Sequence, residues 1–220
     1  MFGKSRKKQP ETAALPVTGP VEFLVVGLGN PGQKYEGTRH NVGFAALDAL
    51  AQSAGARVDK LKFKSLCGDC MLGGHHVLLM KPSTFMNLSG QAVTEAAAFY
   101  KVPMDHVLVF SDDISLEPGR MRIRTKGTDG GHNGLKNIIY LSGRDDFPRI
   151  RIGVGAKPHP DYDLADWVLG RLTGEDAKKL QTVFDHIPDA AGLIINGNAQ
   201  EAMNRYNKAA EPAAAQPKDQ

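Results

Sequence analysis

Four side chains in this sequence have the types and positions for hydrolytic chemistry: His40, Asn87, Asp112 and Asn133. Each stands where an apolar strand ends or a helix begins, and in an open α/β sheet such positions converge on one crevice. His40 is the one titratable imidazole of the set. A carboxylate such as Asp112 fixes its tautomer and makes it a better general base. The neutral carboxamides of Asn87 and Asn133 hold a water and polarise a carbonyl, with no metal and no covalent intermediate. A nucleophile motif of the G-x-S-x-G type is absent, and Ser89 in Leu88-Ser89-Gly90 reads as a helix cap.

Each of these residues also has a plainer explanation from its type alone. A histidine at a helix start often caps it or is a satisfied polar group. Asp112 and Asp113 suit a turn after a strand. Phe85 and Met86 suit a core, and Asn133 suits an N-cap. Both sets of readings stay open on residue type alone.

The elements that carry these residues follow from periodicity and punctuation. Apolar strands are expected at 22–28, 63–72, 75–81, 106–112, 120–125 and 149–155. Helices are expected at about 39–54, 89–101, 133–142, 163–169, 175–192 and 197–207. The alternation predicts a single-domain α/β fold, a sheet covered by helices. Gly73-Gly74 joins two of the strands as a hairpin, so the sheet should be mixed. A single domain is expected over 21–208. It is flanked by a disordered basic arm (1–20) and a disordered tail (209–220) rich in Ala and Pro.

The formal net charge is +3, and the arm alone accounts for it through Lys4, Arg6, Lys7 and Lys8 against Glu11. Nucleic-acid affinity in the folded part must therefore come from a local patch. The segment Arg120-Met121-Arg122-Ile123-Arg124-Thr125-Lys126 supplies one. In a strand its four cations share a face, with Met121 and Ile123 on the other. A row of like charges repels itself, so a phosphate partner explains it better than a solvated face. Lys136, Arg149 and Arg151 are candidates to extend the patch.

No apolar run approaches the roughly 18 residues needed to cross a bilayer, and the start lacks the apolar core of a signal peptide. A cytoplasmic protein without membrane partners is expected. Cys67 and Cys70 form a lone C-x-x-C. Its i, i+3 spacing puts the two on opposite faces of a strand, as reduced thiols rather than a metal or redox pair.

One motif points elsewhere. Gly27, Gly29 and Gly32 match a dinucleotide-binding G-x-G-x-x-G, with Asp48 about twenty residues on. The fingerprint needs a helix opening inside the glycine run, with amide donors toward a pyrophosphate. Pro31 removes one donor, Gly32 and Gly37 keep the segment a loop until about Thr38, and Asp48 falls inside an amphipathic helix. A nucleotide cofactor is not expected.

Four blocks, GLGNPGQKYEGTRHNVGF, KPSTFMNLSG, SDDISLEPG and GGHNGLKNI, together resemble the bacterial peptidyl-tRNA hydrolase family in order and spacing. The resemblance runs from about Val21 to Tyr206. It implies hydrolysis of the ester joining a peptide to the 3′ end of tRNA. It also implies a monomeric α/β fold with a twisted mixed sheet, and neither metal nor cofactor. It makes His40 the general base, Asp112 its carboxylate partner, and Asn30 the sensor of the acylated amino end. Tyr35, Phe85, Asn87 and Asn133 match positions that contact the peptidyl-adenosine end, Asn133 also holding the attacking water. Arg122, Arg124 and Arg151 fall where the family places cations for tRNA phosphates. Ser115, Glu117 and Asp129 depart from the family's usual residues. Asp129, a carboxylate beside a phosphate path, is expected to turn away. The alternative implied by the same fold is a non-catalytic RNA-binding relative.

Overall fold

The computed structural model describes residues 17–207; most of the expected arm and all of the expected tail lie outside them. Within this range, seven strands and six helices follow in chain order. They are β1 (Phe23–Gly27), α1 (Val42–Ser53), β2 (Lys60–Lys62), β3 (Ser65–Leu72), β4 (His75–Pro82), α2 (Ser89–Tyr100), β5 (Val107–Asp113), β6 (Met121–Arg124), α3 (Asn133–Ser142), β7 (Arg149–Gly153), α4 (Leu164–Leu169), α5 (Gly174–Ile195) and α6 (Ala199–Tyr206). The expected elements all form. β2 lies outside the expected strands: Lys60-Leu61-Lys62 is three residues long and exposed throughout, too short a run to carry a strand period.

The strands make one sheet in the order β2-β3-β4-β1-β5-β7-β6. β4, β1, β5 and β7 are parallel, while the hairpin β3–β4 and the outer strands β2 and β6 run antiparallel. The sheet is therefore mixed, as the Gly73-Gly74 turn requires. Side-chain alternation sends β1 into two cores. Val25 packs with α1, α5 and α6 on one face. Leu24 and Val26 pack with α2 and α3 on the other. Cys67 and Cys70 divide between the same two cores and are both free thiols.

β1 lies between β4 and β5, and the helices after β1 and β4 cover opposite faces. That reversal opens a crevice beyond the carboxyl ends of these strands. The glycines of the first block serve this geometry. A Cβ on Gly27 would lie 2.4 Å from Gly43 O, and one on Gly29 would lie 2.7 Å from the Phe44 ring. They let α1 close down on the end of β1. Asp48 sits on α1 in an ion pair with Lys81. Neither observation fits a pyrophosphate site.

Candidate active site

At the end of β5 a buried carboxylate joins two histidines. Asp112 Oδ1 accepts from His40 Nδ1 at 2.8 Å and from His132 Nε2 at 2.9 Å. All three residues are buried. Burial by itself would raise the Asp112 pKa. The electrostatic pull and hydrogen bond of His132, then the hydrogen bond and electrostatic pull of His40, more than reverse this and hold the carboxyl well below the usual carboxylate range. An ionised carboxylate only accepts, so His40 carries its proton on Nδ1. Nε2 is then the nitrogen whose lone pair the neutral ring turns away from Asp112, without a partner among the described residues, on a ring that lines the cleft.

His132 is pinned from both ends. Its Nδ1 accepts the backbone N–H groups of Gly134 at 3.1 Å and Leu135 at 3.3 Å, so it caps α3. The imidazole at the N-terminus of α3 thus fills the capping role that the sequence offered to Asn133. Asn133 is the first residue of the helix and stands exposed at the cleft. Ser89 likewise does not cap α2. Its Oγ donates to Met86 O at 2.8 Å, inside the turn before the helix.

Asn30 is oriented by three bonds. Its backbone N–H donates to Asn41 Oδ1 at 2.8 Å, and Asn41 Nδ2 donates back to Asn30 O at 3.0 Å. Its own Oδ1 accepts from Met86 N at 2.9 Å. The oxygen being occupied, the carboxamide has its NH₂ group left to offer the cleft. That cleft has a volume of about 490 Å3 and gathers Asn30, His40, Phe85, Asn87, Asp112, Asn133 and Arg151 from the sequence-derived set. Its far wall is apolar: Leu164, Ala165, Val168 and Leu169 of α4. Arg39, next to the histidine, ties that wall down. Its guanidinium lies 3.5 Å from the centre of the Trp167 ring and donates to Trp167 O at 3.4 Å and Arg171 O at 3.1 Å.

Other expected residues surround the cleft or lie apart. Tyr35 stands beside it, edge-on to Phe85 with ring centres 6.5 Å apart. Arg151 lines it: Nε is 3.1 Å from Asp113 Oδ2, off the line of a hydrogen bond, and the guanidinium packs on Gly130, where a Cβ would meet it at 2.4 Å. Arg122 pairs across from Arg151, and Arg124 from Arg149, so the ladder runs away from the cleft along the outer strand β6. Arg149 does not extend the patch. It is buried and donates to the carbonyls of Phe147, Gly127, Thr128 and Asp145. Burial, then the neighbouring Arg151 charge, pushes its pKa down to about 10. Asp129 turns its carboxylate back onto Gly131 N at 2.8 Å. Ser115 closes the loop after β5 through N–H and Oγ bonds to Asp113 Oδ1 at 2.8 and 2.7 Å.

His40, Asp112 and His132 are close enough to be weighed as metal ligands. The donor set argues against it. A metal on His132 Nε2 needs the proton on Nδ1, where two backbone N–H groups already point.

Residues 24–214 match the family model described as peptidyl-tRNA hydrolase. The chain belongs to the peptidyl-tRNA hydrolase family. Its curated relatives include the peptidyl-tRNA hydrolases of Agathobacter rectalis and Caldanaerobacter subterraneus. The first is 52% identical over 84% of this chain and 100% of its own. The second is 50% identical over 84% and 99%. Among solved structures, the crystal structure of peptidyl-tRNA hydrolase from Acinetobacter baumannii superposes with a TM-score of 0.79. It is 36% identical and covers 84% of this chain and 93% of its own. A peptidyl-tRNA hydrolase in complex with N-propanol gives 0.81 at 36% identity, over 87% and 97%.

In this member of the family, sequence reasoning passed over His132, Asn41 and Arg39. His132 had a visible signal, an imidazole beside Asn133 in the GGHNG block. Asn41 and Arg39 flank His40, and their contacts with Asn30 and α4 have no local signature. No helix among the described residues is long and apolar enough to cross a membrane.

Proposed function

We propose that His40 is the general base in the hydrolysis of peptidyl-tRNA by this family member, acting on water at the ester that joins the peptide to the 3′ end of tRNA. The observation that carries this reading is the single oxygen of Asp112 taking both imidazole N–H groups. It leaves His40 Nε2 as the acceptor beside the carboxamides of Asn30, Asn87 and Asn133.

The steps follow from these groups. Asn133 holds a water, and His40 Nε2 takes its proton as the oxygen attacks the ester carbonyl carbon. The ionised Asp112 stabilises the imidazolium that forms. The carboxamides of Asn87 and Asn133 donate to the oxyanion. The tetrahedral species then expels the ribose 3′ or 2′ oxygen, which receives the proton back from His40. Asn30 reads the amino side. Its NH₂ donates to the carbonyl of an acylated α-nitrogen, whereas a free ammonium sets donor against donor. Tyr35 and Phe85 offer ring faces to the terminal adenosine. Arg151 offers its guanidinium to phosphates of the CCA end, and Arg122 and Arg124, farther out on β6, offer theirs to phosphates of the acceptor stem, with bidentate geometry. We take the working form to be a cytoplasmic monomer with one domain over 21–208.

The matched relatives are named as hydrolases, which weighs against a non-catalytic RNA-binding role. The test compares release of the acyl group from N-acetyl-aminoacyl-tRNA and from free aminoacyl-tRNA, with His40→Ala as control. Cleavage of the blocked substrate alone, lost in the control, is expected. Tight, salt-sensitive tRNA binding without cleavage would overturn the catalytic reading.

A further inference from the structure

The cationic edge of the sheet is closed by a side chain. β6 is four residues long and pairs with one strand, β7. On its other side an edge strand leaves backbone N–H and C=O groups without strand partners. At Ile123, inside β6, Asn207 meets both. Asn207 is the C-cap of α6, and its Oδ1 accepts from Ile123 N at 2.6 Å while its Nδ2 donates to Ile123 O at 3.1 Å. One carboxamide thus reproduces the two bonds that a facing antiparallel residue would exchange.

The clamp falls between two cations. Met121 and Ile123 are buried in the core that α5 and α6 cover, with Met203 and Tyr206 of α6 packed against it. Alternation sends Arg122 and Arg124 to the opposite face. α6 therefore holds β6 from behind, and Asn207 spends its bonds on the backbone, leaving both guanidinium groups to the front. A short strand with one neighbour opens more readily than strands inside a sheet. Arginines carried on a frayed strand must be ordered as RNA binds, and that ordering subtracts from affinity.

We propose that Asn207 is a positioning residue for tRNA binding: by completing the edge of β6 it orders Arg122 and Arg124 before the acceptor stem arrives. The inference rests on the phosphate reading of those two arginines given above. It brings the last helix of the fold, on the opposite face of the sheet, into substrate recognition through β6 alone.

The test compares KM for whole N-acetyl-aminoacyl-tRNA with cleavage of a minimal CCA substrate. Asn207→Ala should raise that KM by about three- to tenfold, the range for losing such hydrogen bonds, with kcat and minimal-substrate cleavage unchanged. Amide exchange at Ile123 should quicken while Ile150, between β5 and β6, stays protected. Two comparisons separate positioning from general loosening. Val58→Ala, which loosens packing beside β3 toward the other edge of the sheet, should leave KM for whole tRNA unchanged. In a background of Arg122→Gln with Arg124→Gln, Asn207→Ala should add nothing, because the groups it orders are gone. An unchanged KM for Asn207→Ala, an equal rise for Val58→Ala, or an effect that persists in full in the double-arginine background would overturn the positioning role and leave the hydrolase intact. Normal binding of whole tRNA by the double-arginine variant would overturn the phosphate reading, and the positioning role with it. No cleavage of any substrate by the unsubstituted protein would overturn the hydrolase reading itself.

Discussion

Replacing Asp112 by Asn tests the core of the mechanism, because the change is isosteric and removes one charge. Asn retains an oxygen that can accept from His40 and His132 where Asp112 Oδ1 now does, at 2.8 and 2.9 Å. What it loses is the stabilisation of the imidazolium as His40 takes a proton. Two unit charges about 4 Å apart attract by about 4 kcal/mol at an effective dielectric of about 20, and by about 1 kcal/mol in bulk water. A hydrogen bond to a charged group also exceeds a neutral one by about 1 kcal/mol. A loss of about 2–4 kcal/mol from the transition state lowers kcat by about thirtyfold to a thousandfold. Asp112 lines the cleft floor but is assigned no substrate contact, so KM should change little. Single-turnover cleavage of N-acetyl-aminoacyl-tRNA measures the effect without interference from product release. Stability supplies a second readout. The Asp112 carboxyl is held below its ordinary 3.8, so its contribution is present above that value and lost as pH falls through the folded pKa. The variant should be less stable than the parent at neutral pH, and the gap should close in acid below about pH 3.8. A variant that keeps more than a third of kcat, or that raises KM at constant kcat, would refute the assigned role.

The cationic strand and the buried thiols give two further expectations. Arg122→Gln with Arg124→Gln should weaken binding of whole tRNA and reduce the slope of log affinity against log salt by about two, one per phosphate contact. Cleavage of a minimal CCA substrate should be spared, and loss of both activities together would place these residues in the catalytic centre instead. Burial, reinforced by the Asp69 charge, raises both Cys67 and Cys70 to about 11 from 9.0. In the native protein both should resist a thiol-specific reagent at pH 8 and react on unfolding. Because the folded state holds these protons more tightly, their stabilisation is complete below about pH 9 and lost as pH rises toward about 11. Rapid labelling of the native protein at pH 8 would contradict the burial argument.

Much of this molecule is legible in its sequence because the signals are local. The period-2 alternation of Leu24, Val25 and Val26 assigns each to its core. The i, i+3 spacing of Cys67 and Cys70 separates them in the same way. Gly-Pro and Gly-Gly punctuation marks the loops, and strand ends mark where His40, Asn87, Asp112 and Asn133 come together. Only the tertiary structure decides what each polar group does there. Arg149 alternates with Ile150 like any strand cation, yet it is buried because carbonyls of Gly127 and Thr128, more than twenty residues away, converge on its guanidinium. His132 is visible by type as an imidazole beside Asn133, but its partners are not: it becomes the clamp on Asp112 because α3 presents two free N–H groups to one ring nitrogen while β5 presents a carboxylate to the other. Periodicity specifies which face a side chain takes. Which donor meets which acceptor depends on elements far apart in the chain, since a buried polar group must find its partner wherever the packing of the sheet and helices has left one.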